Sequence, residues 1–350
     1  MNIYSSSTYL SDLKAVTESL DLSHLHGKKI LITGATGLIC SAIVDLLLFA
    51  NKTQALDVTV YAAARTPEKL SSRFHDMEAC GLVPVKYDAT KAFSFDGDLD
   101  FVIHGASNAS PDKYISEPVD TLLANIVGIH NLLECTRASN LKKFVYISSS
   151  EVYGKLPSEA PLVENEYGII DILSARSAYP IGKQAAEALC IAYANQYGTD
   201  VSIVRPGHIY GPTAQLSDNR ISSAFVRQAL AKEDIVLKSS GTQIRSYCHC
   251  LDCASAILCV LMHGESKQAY NISNSDSIIT IRQMAALIAR FAEVSLIFDL
   301  PTEADSAAFN PMNNSSLNSD KLYSLGWRGV FDAETGFSHT ISVIRESSNS

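Results

Sequence analysis

No cluster of lysine and arginine interrupts the 350 residues: 28 basic side chains lie scattered among 37 acidic ones, for a net charge of -9. A polyphosphate backbone is gripped by clustered cations that displace its counterions, so nucleic acid is not an expected partner. Long apolar runs are missing as well. The longest, around Ile43–Ala50 and Ala254–Met262, fall far short of the roughly 20 residues that span a bilayer, and no membrane association is expected. The first residues, MNIYSSSTYLSDLKAV, lack the basic start and apolar core of a secretory signal, so the expected location is cytoplasmic. Cysteine occurs eight times, yet without paired Cys-x-x-Cys units. Cys248, Cys250 and Cys253, with His249 among them, form the one cluster, and structural zinc asks for two such pairs; buried reduced thiols and no metal are expected.

What is present is a chain able to bury a large core, 47% hydrophobic and 19% charged. At roughly 150 residues per domain, two lobes or one large α/β domain with an appendage are expected. Residues 1–26 read as a short helical extension ending near Gly27. Apolar, strand-like runs follow at 28–33, 58–63, 82–87, 101–104, 144–148 and 201–205, most of them separated by helical stretches such as 38–50. That alternation is the signature of a doubly wound parallel sheet, hence an α/β fold. After Pro212 the pattern becomes irregular, with helix-like stretches at 221–232, 253–263 and 280–291 and an Asn/Ser-rich loop at 310–318. The expected division is a sheet domain over 27–206 and a smaller substrate lobe over 207–350, partly interleaved with it.

Thr33-Gly34-Ala35-Thr36-Gly37-Leu38-Ile39-Cys40 lies between a strand and a helix. Glycines there permit a tight turn and a close backbone approach to a pyrophosphate, whose charge meets the helix N-terminus. Gly34, Thr36, Gly37, Leu38 and Ile39 are therefore candidate dinucleotide contacts in a Rossmann-type fold. The third small position is Cys40, which should hold helix and strand slightly farther apart. At the end of the second strand an acid normally meets the ribose hydroxyls of NAD; here stands Arg65, which suits the 2′-phosphate of NADP as well, stacks on adenine, or is simply a solvated side chain. Asp88, after the third strand, is placed to meet adenine.

Tyr179-Pro180-Ile181-Gly182-Lys183 sets a phenol and an amine one helical turn apart on one face. A nearby ammonium should lower the phenol pKa and let it accept a proton from a substrate hydroxyl. Ser148-Ser149-Ser150-Glu151 follows a buried strand, so its hydroxyls should project from the C-terminal sheet edge, where open α/β sheets gather their sites.

Together, the Gly-rich turn, the Ser run with Val152-Tyr153-Gly154, the Tyr-x-x-x-Lys pair and Arg205-Pro206-Gly207-His208-Ile209-Tyr210-Gly211-Pro212 resemble the extended short-chain dehydrogenases of the nucleotide-sugar epimerase/dehydratase family. The likeness covers nearly all of 27–265 and returns at Ser319–Leu322 and Leu325–Trp327. Within the family it resembles the UDP-glucuronate decarboxylases. The loop from Ala106 and Ser107 through Ser110 to Tyr114 resembles their segment near the nicotinamide, and Arg176 precedes the catalytic Tyr in a similar way. Asp218-Asn219-Arg220 and the stretch ending in Arg245-Ser246-Tyr247 resemble their nucleotide-binding segment.

The resemblance implies an NAD(P)-dependent homodimer acting on a nucleotide sugar. Tyr179, Lys183, Ser149, Ser150 and Glu151 would be catalytic. Ser110, Tyr114, Arg176, His208, Arg220 and Arg245 would bind substrate. Ala106, Ser107, Tyr179 and Lys183 would join the cofactor contacts. Dehydratases of the family carry Asp where Ser150 stands, to protonate a departing hydroxyl, which favours decarboxylation here over 4,6-dehydration. Glu151 counts mildly against a simple 4-epimerase. A catalytically silent cofactor sensor is a further alternative, against which the intact Ser149, Tyr179 and Lys183 speak. His208 replaces an Asn that touches the diphosphate in many relatives, and the loop 309–317 has no Arg where many carry one. Plainer roles are expected for several residues: core aromatics at Tyr153 and Trp327 (the latter closing the small lobe), packing thiols at Cys135, Cys190 and Cys259, a hydrogen-bonded His104, and an internal ion pair or substrate contact for Arg205.

Overall fold

The computed structural model describes residues 2–107, 109, 111–137, 139–215, 217–299 and 313–348. In chain order these form α1 (Ser7–Glu18), β1 (Lys29–Thr33), α2 (Leu38–Gln54), β2 (Thr59–Ala64), α3 (Pro67–Arg73), β3 (Leu82–Lys86), β4 (Phe101–His104), α4 (Pro111–Ser116), α5 (Pro118–Arg137), β5 (Lys143–Ile147), α6 (Ala178–Tyr197), β6 (Val201–Pro206) and β7 (His208–Tyr210). They continue as α7 (Ile221–Leu230), β8 (Ile235–Leu237), β9 (Ile244–His249), α8 (Cys250–His263), β10 (Gln268–Ile272), β11 (Ile278–Thr280), α9 (Ile281–Ala292), β12 (Leu296–Phe298), β13 (Asn314–Ser315), α10 (Asp320–Tyr323) and α11 (Ala333–Ser348).

Seven strands form a parallel sheet in the order β10-β6-β5-β4-β1-β2-β3. Its central strands are buried on both faces, which is why the sequence shows them as continuous apolar runs rather than alternating ones. Ile30 and Ile32 of β1 face a core built with α2 and α8, while Leu31 faces the opposite core with α5 and α6. Strand order reverses between β1 and β4, and the crevice beyond their C-terminal ends is where such sheets bind ligands. Residues 207–350 supply β10 to this sheet and α8 to its core.

The irregular pattern after Pro212 conceals several short strands. β9 pairs with β7, β11 and β13, and β8 pairs with β12. Strands of two to six residues are too brief for their alternation to stand out from the sequence. A separate core, with Phe225, Ile235, Met284, Ile288 and Phe337, lies beneath α7, α9 and α11. Trp327 does not belong to it. Its ring is buried in the α2/α8 core, its indole N–H donates to Ser255 Oγ at 2.8 Å, and Tyr323 stacks on it. Cys135 is half-buried rather than a full core residue, whereas Cys190 and Cys259 are buried. Among the described residues no helix is long and apolar enough to cross a membrane.

Candidate active site

The cofactor end is built from glycine geometry. Gly34 has φ +73°, and a Cβ there would lie 3.0 Å from the backbone of Gly105 and Ala106. Only a residue without a side chain lets β1 turn so close to the end of β4. Gly37 then caps the 17-residue α2 with no side-chain hydrogen bond, so the first amides of the helix remain available to an anion at its positive end. The room for the Cys40 thiol is found at Gly105, where a Cβ would approach the sulfur to 2.4 Å.

A cleft of about 240 Å³ opens beside this turn, bordered by Gly34, Gly37, Leu38, Ile39, Ser107, Tyr179 and Lys183 among others. Thr36 contributes its carbonyl to Gln215 Nε2 at 2.9 Å, and Thr213 Oγ1 donates to the Leu38 carbonyl at 2.8 Å. The segment after β7 therefore braces the turn, a connection that no spacing in the sequence announced. Ala106 offers only its backbone, donating to Thr33 Oγ1 at 3.3 Å, and Ser107 Oγ donates to Asn125 Oδ1 at 3.1 Å. Arg65 and Asp88 follow the ends of β2 and β3 and do not border this cleft. Asp88 caps Thr90 through N–H at 3.0 Å and Oγ1 at 2.8 Å, and these bonds, helped by Lys91 and Arg65, hold its carboxyl below the usual range. A turn shaped by Gly34, an uncapped helix end and a lysine fit a dinucleotide pyrophosphate and ribose. The buried, unpartnered Ser148 hydroxyl in the same cleft is a further polar group for a ligand.

Tyr179 lies in the first turn of α6, its ring stacked on Tyr114 with centroids 5.0 Å apart. Ser149 caps a short 3-10 turn over Ser150–Tyr153, accepting from the Glu151 amide at 3.2 Å, and its hydroxyl pulls the Tyr179 phenol toward a lower pKa. Glu151 accepts from Tyr114 at 3.4 Å and from Arg176 Nη2 at 3.5 Å. Tyr114, Glu151, Arg176, Ser149 and Tyr179 thus meet, with Ser150 half-buried beside them. Ser110 lies outside the described residues.

Burial, then the Glu151 charge, pushes the Tyr179 phenol up to about 12, against the Ser149 hydrogen bond and the Arg220 charge that pull it down. Lys183 Nζ, expected to lower the phenol, lies 5.9 Å from the centre of the Tyr179 ring. The Lys183 ammonium donates to the Ile147 carbonyl at 2.8 Å and sits over the Tyr146 ring, and burial depresses its own pKa to about 8.

Arg220 lines the cleft and is ion-paired with Asp218 at 2.5 Å, so it is not a merely solvated side chain. His208 lies in the field of Arg245 and Arg220; burial first, then these charges, hold it neutral with a pKa near 3. Arg245 is buried and donates from Nη1 to the Ile244 carbonyl at 2.8 Å. Arg205 is an internal ion pair, bidentate to Glu187 at 3.0 and 2.7 Å, and His104 bonds Thr33 Oγ1 at 2.7 Å.

Residues 30–273 match the NAD dependent epimerase/dehydratase family. The chain belongs to that family. Among curated relatives, UDP-glucuronic acid decarboxylase 1 of Danio rerio is 30% identical over 91% of this chain and 73% of its own length. UDP-glucuronic acid decarboxylase 1 of Xenopus tropicalis is 29% identical over 93% of this chain and 74% of its own. Of solved structures, the UDP-glucose 4-epimerase of Thermotoga maritima with UDP-glucose superposes with a TM-score of 0.73 at 22% identity, covering 91% of this chain and 99% of its own. A dTDP-glucose 4,6-dehydratase of Streptomyces venezuelae with NAD bound gives 0.74 at 22% identity, covering 92% and 98%. At those identities the structures establish the fold.

Proposed function

We propose that this member of the family decarboxylates UDP-glucuronate by transient oxidation at the sugar C4. The observation that carries the reading is the grouping of Ser149 and Glu151 with Tyr179, which borders the cleft, and a hydroxyl, Ser150, beside them in place of a carboxylic acid. Expelling water from C6 would need such an acid; losing carbon dioxide does not. The relatives named as UDP-glucuronic acid decarboxylases support the same choice.

A dinucleotide held at the Gly-rich turn would supply the acceptor, and later the donor, for the C4 hydride. The chain's own work is proton management. The Tyr179 phenolate takes the proton from O4, Ser149 holds that oxygen, and Lys183 holds the ribose. With C4 a ketone, the C5 carboxylate is that of a β-keto acid: the C5–C6 bond breaks, its electron pair passes into the enolate, carbon dioxide leaves, and a proton adds at C5. Tyr179 then returns its proton to O4. Glu151, braced by Arg176 and Tyr114, orients the ring, and Arg220, Arg245 and His208 meet the diphosphate.

The proposal extends to a homodimer formed through α5 and α6, whose exposed Val119 and Leu123 offer apolar contact to a second copy, and to a cytoplasmic location suited to eight free thiols. Light scattering on the eluting protein should give twice the 37.9 kDa chain mass. The deciding experiment is mass spectrometry after incubation of the purified protein, with its cofactor, with UDP-glucuronate. Loss of carbon dioxide to give a nucleotide pentose or 4-keto-pentose is expected. Unchanged mass with no new isomer by NMR removes the reading and turns attention to 4-epimerase or 4,6-dehydratase chemistry on other nucleotide hexoses.

A further inference from the structure

One carboxylate at the cleft has no part in the reaction above, yet more hydrogen bonds converge on it than on any group of the catalytic trio. Asp218 accepts the Arg220 backbone N–H at 3.0 Å, Arg220 Nε at 2.9 and 3.1 Å, Arg220 Nη2 at 2.5 Å and Ser223 Oγ at 3.0 Å. It is clamped from behind as well. Arg227 of α7 donates to the Asp218 carbonyl and reaches the Asn219 side-chain oxygen at 3.4 Å. Only a tenth of the Asp218 side chain is exposed, against a third of the Arg220 side chain, so the carboxylate is the fixed member of the pair.

The bonds engage one edge of the Arg220 guanidinium, Nε and Nη2. The remaining terminal nitrogen, Nη1, has a long contact with the Ile209 carbonyl at 3.5 Å. A free arginine loses rotamer freedom when it grips an anion; one already held by a carboxylate loses less. We propose that Asp218 is a positioning residue that fixes Arg220 in the catalytic cleft, leaving its Nη1 side as an end-on clamp for the phosphates of the nucleotide sugar. Ser223 and Arg227 set the carboxylate and its loop against α7, so order passes from helix to carboxylate to guanidinium. The same placement brings the Arg220 charge to bear on the Tyr179 phenol, opposing Glu151. The inference rests on the proposed reaction for the substrate class alone.

The test is titration calorimetry of the NAD-loaded protein with two probes, UDP and inorganic pyrophosphate. Asp218→Asn should weaken UDP binding roughly 10-fold and Arg220→Gln somewhat more, through loss of charge-assisted bonds. The double variant should bind no more weakly than Arg220→Gln alone, because Asp218 acts only through Arg220. NAD affinity should stay unchanged in all three. Wild-type affinity in Asp218→Asn, or losses that multiply in the double variant, overturns the proposal. If Asp218→Asn fails to fold, Ser223→Ala decides: a weakening of roughly 2- to 3-fold is expected, and unaltered affinity overturns it. Binding of pyrophosphate without UDP would remove the proposed nucleotide and leave Asp218 to be judged on pyrophosphate. Binding of neither overturns the clamp.

Discussion

At the residue scale the site is defined by charges that oppose one another on a buried phenol. Tyr179→Phe should lower turnover by roughly 10²- to 10⁴-fold while cofactor binding persists, measured by product formation and by equilibrium titration of NAD. Unaltered product formation would remove Tyr179 from the catalytic set. Glu151 raises the phenol pKa, so Glu151→Gln should move the acid limb of the rate–pH profile to lower pH even as the maximal rate falls. Lys183 gives a stability prediction with a definite sign. Its folded pKa, about 8, lies below the ordinary 10.5, so the buried charge costs stability in full below pH 8 and the cost fades as pH rises toward 10.5. A depression of that size corresponds to about 3 kcal/mol. The unfolding free energy of the wild type should therefore gain about that much on Lys183→Met between pH 7.5 and 10.5 in urea titrations; a constant difference would contradict it. Tyr179, Lys183 and Ser149 were legible because their spacing fixes them on one helix turn and one strand end. Asp218's bond set was not, because it depends on how one loop folds onto α7.

At the scale of elements, the decisive contacts are between backbone and small side chains. A Cβ on Gly105 would meet Cys40 Sγ at 2.4 Å and Ile147 Cδ1 at 3.0 Å. Gly105→Ala should destabilise by about 1–3 kcal/mol, as overpacking does, and Cys40→Ala in the same chain should recover much of it, read as thermal midpoints. Space for the Cys40 thiol comes from a glycine 65 positions away, which pairing of β1 with β4 brings alongside. Strands β1, β2, β4, β5 and β6 announced themselves because burial on both faces demands unbroken apolar runs, whereas the edge strand β3 is mostly exposed. β7, β8, β9, β11, β12 and β13 did not, since short strands that depend on distant partners carry no period of their own. Arg205 left two readings open in the sequence, and the tertiary pairing with Glu187 on α6 decided between them.

At the scale of the whole molecule, the two ends of the chain are tied together against the sheet domain. The buried Asp45 of α2 accepts from Tyr4, from Tyr9 at 2.5 Å and from Arg73 at 2.6 Å. Glu346 of α11 accepts from Ser6 and Thr8 at 2.7 Å, and His339 bonds Asp12 at 2.7 Å. Asp45→Ala would strand Arg73 and two phenols and should cost about 3–5 kcal/mol, with turnover per folded molecule unchanged at low temperature. Nothing in the motifs explains residues 1–26; these contacts give them a structural role.

The sequence by itself determined the parallel sheet, the phosphate-binding turn and the Tyr/Lys/Ser set, because each is local: burial fixes the strands, glycine conformation the turn, and helical spacing the pair. The tertiary structure alone decided which charges face the phenol, which carboxylate holds Arg220, where Trp327 packs and how the chain ends lock onto α2. Those outcomes depend on segments far apart in the chain meeting at distances where burial and charge act, and no local pattern encodes such a meeting.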